Sequence, residues 1–95
     1  MKKLTTRNLV KLEKKLGKNP LSVFIGIENG EMPKLSDLLL IWQHILLAED
    51  EKKYSDMSAV YDEYDNFLSE GGNLVSLMNE IIEVLQDSGV IPKNA

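Results

Sequence analysis

No cysteine occurs anywhere in this chain of 95 residues. That excludes disulfides, thiolate nucleophiles and cysteine-bound metals, and it suits a reducing cytoplasm. Histidine occurs once, as His44, so histidine-based zinc sets such as H-E-x-x-H cannot be assembled. No E-x-x-H pair is present for a di-iron centre either. Long apolar runs are missing too. The longest, Leu38 to Ala48, is broken by Gln43 and His44 and falls well short of the ~20 residues that span a bilayer. No membrane partner is expected. The basic N-terminus leads into no apolar stretch with a small-residue cleavage site, so no signal peptide is expected. Alternation of apolar and polar residues is nowhere long enough to insist on a strand.

What is present is an ordinary globular composition, 43% hydrophobic and 27% charged, with a net charge of −4. A chain of this length makes one domain with a modest core, and a partner would add to it. The charge is unevenly spread. Residues 1–20 carry seven basic side chains against Glu13, a net +6, and residues 49–70 carry eight acidic ones against Lys52 and Lys53, a net −6. This pattern suggests that the basic residues Lys11, Lys14, Lys15 and Lys18 of one copy face the acidic Asp62, Glu63 and Asp65 of another. Such a head-to-tail contact closes as a ring or continues as a spiral.

Periodicity predicts an all-helical bundle of about five helices. Thr5 or Thr6 opens the first, which presents Leu9, Leu12 and Leu16 on one face and ends at Gly17. Asn19-Pro20 restarts the chain as a short apolar helix, "NPLSVFIG", with Gly26 as its cap. Asn29-Gly30 marks a turn. The third helix, about Lys34 to Glu49, is apolar nearly all round, with Leu35, Leu38, Leu39, Trp42, Ile45 and Leu46 on its main face. Residues 49–53 read as a polar connection. Ser55 or Asp56 caps a fourth helix patterned by Met57, Val60, Tyr61, Tyr64, Phe67 and Leu68. Gly71-Gly72 ends it, Asn73 caps the fifth, and Gly89 closes that one. The short link between the last two predicts an antiparallel hairpin. The expected core is Leu9, Leu12, Leu16, Phe24, Leu38, Trp42, Ile45, Val60, Tyr64, Phe67, Leu77, Ile81 and Leu85. Residues 1–91 form one domain in this reading, and 92–95 a flexible tail.

The two-turn second helix holds more apolar residues than one small core can accept from it. Leu21, Val23, Phe24 and Ile25, together with Leu40, Ile41 and Leu47 on the third helix, are therefore the expected partner-binding residues. No catalytic residue, cofactor or metal site is expected. "YDEYDNF" lacks the glycine and the terminal glutamate of a calcium loop, no hydroxyl is paired with a base, and the glycines are accounted for by caps and turns. A basic helix, a glycine turn and a short helix loosely suggest a DNA reader. The short helix, however, lacks the Arg, Asn or Gln that reads base edges, and the domain is acidic. No nucleic-acid partner is expected, and DNA binding or regulation is kept as the alternative.

Three stretches, "TTRNLVKLEKKLGKNPLSVF", "GEMPKLSDLLLIWQHIL" and "VYDEYDNFLSEGGNLVSLMNEIIEVLQDSGVI", resemble the tail assembly chaperones of long-tailed phages and prophages of Gram-positive bacteria. The likeness runs from about Thr5 to Ile91 and rests on a "LEKxLGxNPL" beginning, a "PKLxDL" helix start and an "EGG" turn, in that order. It implies a small, helical, non-enzymatic protein of the host cytoplasm that is absent from the mature virion. Its implied partners are the tape measure protein, coated until the tail tube polymerises around it, and further copies of itself. A longer form made by frameshifting is also implied. Pro92-Lys93-Asn94 can be encoded through A-AAA-AAY, on which a ribosome slips back one base. The alternative would then be a DNA-binding or regulatory protein of a prophage.

Overall fold

The computed structural model of the chain describes residues 3–90, without the side chains of residues 25–29. The expected C-terminal tail and its slip-site residues lie outside the described residues. All regular structure among the described residues is helical. It consists of α1 (Thr6–Leu16), a 3₁₀ segment (Pro20–Asn29), α2 (Leu35–Leu46), α3 (Glu51–Tyr54), α4 (Met57–Ser69) and α5 (Leu74–Asp87).

Local sequence explains most boundaries. The Thr5 hydroxyl accepts from the Asn8 amide at 3.3 Å, and Gly17 ends α1 in the left-handed region at φ 74°. Lys14 and Lys15 sit in the last turn of α1, where cations suit the helix dipole. Asn19 starts the 3₁₀ segment, its Oδ1 accepting from the Leu21 amide at 2.8 Å and its carbonyl from the Ser22 amide at 2.9 Å. That segment runs on past Gly26, the expected cap, to Asn29, and the left-handed glycine that follows it is Gly30. Asn73 and Ser76 form a reciprocal capping box at the start of α5.

The "EGG" turn has a specific steric logic. After α4 the Gly71 amide reaches the Leu68 carbonyl at 3.1 Å and the Gly72 amide reaches the Phe67 carbonyl at 2.9 Å, the paired bonds of a Schellman motif. Gly71 takes φ 97°, which favours glycine. Gly72 is required for another reason: a Cβ there would lie 2.5 Å from the Phe67 ring and 2.7 Å from its carbonyl oxygen. The two glycines let the chain fold back tightly under Phe67.

α2 is the centre of the molecule. It packs against α1, the 3₁₀ segment, α3, α4 and α5. α4 and α5 are joined by a short turn, but both rest on α2 rather than on each other, so the two are held through the central helix and not as a self-packed hairpin. The reason is the apolar wrap of α2: Leu38, Leu39, Ile41, Trp42, Ile45 and Leu46 are all buried, which gives every neighbour a surface to bury against. Of the expected core, Leu12, Leu38, Trp42, Ile45, Val60, Leu77, Ile81 and Leu85 are buried, and Leu9, Leu16, Phe24, Tyr64 and Phe67 pack half-buried around them.

The link between α2 and α4 also departs from the sequence reading. α2 stops at Leu46 instead of Glu49, and the supposed polar connection is a helical turn, α3, capped by Asp50, whose Oδ1 accepts from the Lys53 amide at 3.1 Å. Tyr54 is thereby turned inward and buried, its carbonyl accepting from the side chain of buried Gln43 at 2.9 Å. The amide of Leu4, itself buried, donates to Ser88 Oγ at 2.9 Å, tying the N-terminal arm to the end of α5.

Candidate partner-binding and self-association surfaces

The partner-binding residues named from sequence divide into three groups. Leu21 is exposed, at 40% of its full accessibility. Phe24, Leu40 and Leu47 are half-buried and pack against the core. Val23 and Ile41 are corrected by the structure: Val23 is buried and Ile41 is wholly so. Ile41 was placed outside because it lies off the main apolar face of α2, but neighbours surround that helix on nearly all sides. The side chain of Ile25 lies outside the described residues.

Sequence reasoning passed over the apolar residues that do face outward. Met32 and Leu35 are exposed, at 53% and 40%, where the 3₁₀ segment meets the start of α2. Beside them lies a shallow groove of about 240 Å³, lined among others by Val23, Met32 and Pro33 and rimmed by Lys18, Lys34, Glu31 and Asp37. On α4, Tyr61 and Leu68 are exposed at 53% and 43%. The sequence held a signal for these two. Six apolar residues crowd the α4 stripe, which is more than one line of contact with α2 can cover.

The charged residues also sort themselves. Lys11, Lys14, Lys15, Asp62 and Asp65 are exposed. Lys18 lies 3.9 Å from Asp37 across the groove mouth. Glu63, also named for self-association, is not a free surface charge. It is half-buried and accepts a hydrogen bond from the Tyr54 hydroxyl at 2.9 Å. Lys53 lies 5.0 Å over the same tyrosine ring. Burial and the Glu63 hydrogen bond both push the Tyr54 hydroxyl pKa up, so Tyr54 stays a neutral donor that pins α3 to α4.

Among the described residues no group of three or more acidic, histidine or cysteine side chains converges as a metal site, and no helix is long and apolar enough to cross a membrane. His44 is a core residue. Only 1% of its surface is exposed, Nδ1 donates to the Leu40 carbonyl at 2.8 Å, and its own carbonyl accepts from Asn8 Nδ2 at 3.3 Å. Burial holds its pKa below the usual 6.5; the Leu40 bond opposes this, and nearby Lys15 and Lys11 add to it. Protons therefore bind the unfolded chain better. The stability due to neutral His44 is fully present above about pH 6.5 and is lost as the pH falls below that toward the depressed folded value. Thermal melts between pH 7.5 and 5 should show this decline, and His44→Gln should flatten it. An unchanged slope in that variant would assign the decline to other groups.

A family model matches the whole chain, residues 1–95. The chain belongs to DUF6096, a family of unknown function. No curated protein and no solved structure matches it. Membership in DUF6096 therefore brings no assigned residue or ligand, and the chemistry must be argued from these surfaces.

Proposed function

We propose that this DUF6096 protein is a non-enzymatic tail assembly chaperone of a phage or prophage. It self-associates in the host cytoplasm, coats the tape measure protein before the tail tube polymerises, and is left out of the mature virion. The observation that carries this reading is the ordered set of three sequence stretches that resemble such chaperones. Each stretch also has a mechanical role in this fold. "LGKNPL" makes the joint between α1 and the 3₁₀ segment, "PKL" starts the central helix, and "EGG" makes the tight turn under Phe67.

The client surface in this proposal is made of the exposed Leu21, Met32 and Leu35 with the groove that Met32 lines. It departs from the sequence-based set: wholly buried Ile41 is left out, and Val23 enters only as part of the groove wall. A long helical client offers repeated apolar stripes, and a shallow apolar corner with a mixed-charge rim can take one turn of such a stripe at a time. Many copies would then coat a rod that one small domain cannot enclose.

The test is co-expression with the tape measure protein of the same genome. The expected result is a soluble complex that co-purifies, and its loss in Leu21→Asp/Leu35→Asp, a variant with wild-type helicity because both residues are exposed. A tape measure protein that stays insoluble beside the wild-type chain overturns the reading. Retardation of duplex DNA at low salt would favour the DNA-binding alternative instead.

A further inference from the structure

The outer faces of α1 and α4 are matched in length and opposite in sign. On α1, Arg7, Val10, Lys11 and Lys14 share one exposed stripe, with Val10 at 45% accessibility. On α4, Tyr61, Asp62, Asp65 and Leu68 share another. Both stripes span seven residue steps, about 10 Å along a helix. One is an apolar centre flanked by cations. The other is a pair of apolar residues two turns apart with carboxylates beside them. Among the described residues, Lys11, Lys14, Asp62 and Asp65 carry no ion pair within the chain.

The two stripes cannot satisfy each other inside one molecule. α1 and α4 both pack on α2 and make no packing contact with one another. A two-fold dimer through either face would set like charges together, lysines against lysines or aspartates against aspartates. A contact between α1 of one copy and α4 of another brings the opposite signs into register.

We propose that α1 of one copy docks on α4 of the next, with Val10 seated between Tyr61 and Leu68 and with Lys11 and Lys14 facing Asp62 and Asp65. This deepens, and rests on, the self-association half of the function proposed above. A docked pair keeps one free α1 face and one free α4 face, so the contact propagates until it closes or is capped. None of the residues in this contact belongs to the client surface of Leu21, Met32 and Leu35. The charge pairs are exposed and individually weak, so the contact forms at high local concentration and is sensitive to salt.

Sedimentation velocity of the full chain over a concentration series tests it. The wild type should gain mass with concentration and lose it as salt rises from about 0.05 to about 1 M. Lys11→Glu/Lys14→Glu and Asp62→Lys/Asp65→Lys should each associate about tenfold more weakly, and an equimolar mixture of the two should associate as the wild type does. All four positions are exposed, and circular dichroism checks that both variants fold. The neutral pair Lys11→Gln/Lys14→Gln should weaken association to a lesser degree. A wild type that stays monomeric, reversed variants that associate normally, or a mixture that does not recover would each overturn the contact. A wild type that assembles through this pair yet fails to carry the tape measure protein would overturn the chaperone reading alone.

Discussion

Ile41→Asp is expected to unfold the chain at room temperature. Ile41 is completely inaccessible and sits on the central helix between buried Leu38 and Ile45. An aspartate there loses the apolar burial of isoleucine and must either bury a charge or take up a proton against its ordinary pKa. Losing the burial alone costs ~2–5 kcal/mol, as in Ile→Ala substitutions. The polar group adds several more. A domain of this size has only about 5–14 kcal/mol to lose. The measurement is far-UV circular dichroism with a thermal melt, in which the wild type shows a cooperative transition and the variant none. Val23→Asp should act in the same direction with a smaller effect, because Val23 keeps 8% of its accessibility near the groove. A variant Ile41→Asp that melts like the wild type would show that Ile41 faces outward in solution and would restore it to the candidate partner surface.

Trp42→Ala should cost ~3–5 kcal/mol. Trp42 is 2% exposed and holds α4 against α2 through two edge-on aromatic contacts. Its ring centroid is 6.4 Å from that of Tyr64 and 5.9 Å from that of Phe67, at interplanar angles of 84° and 62°. Tyr64 and Phe67 in turn stack on each other at 6.3 Å. Each edge-to-face pair adds about 0.5–1.5 kcal/mol beyond simple burial. Phe67 also roofs the Gly71–Gly72 turn, so removing the indole loosens the exit from α4 as well as its face. The melting temperature should fall by at least about 12 °C for a domain of this length. A wild-type melting temperature would mean that α4 is held chiefly by the Tyr54–Glu63 bond and Val60, and that the aromatic cluster is surface decoration.

The surface reading and these core substitutions are separable by design. Leu21, Leu35, Lys11, Lys14, Asp62 and Asp65 are exposed, so their replacement should leave the melt nearly unchanged while altering association or client binding. Loss of association together with loss of helicity would mark a folding defect and not an interface.

The sequence by itself determined the helical class, the caps and the joints, because these depend on residues within a turn of one another. Thr5, Asn19, Asp56 and Asn73 each place a side-chain oxygen beside orphan amides two or three residues on, and Gly17 and Gly71 close helices locally. The main faces of α1, α2 and α5 were legible for the same reason, through spacing along one helix. What only the tertiary structure decided is which side of a helix has neighbours. Ile41 and Tyr61 look alike in a periodic pattern, since each lies at the margin of an apolar stripe. α2 is surrounded, so Ile41 is buried. α4 meets only α2 and α3, and Tyr61 is left facing out. Glu63 reads as one more carboxylate of an acidic run until Tyr54, brought round by the unexpected turn of α3, donates a hydrogen bond to it. Burial and pairing depend on contacts between elements far apart in the chain, and no local spacing encodes how many elements a given helix will meet.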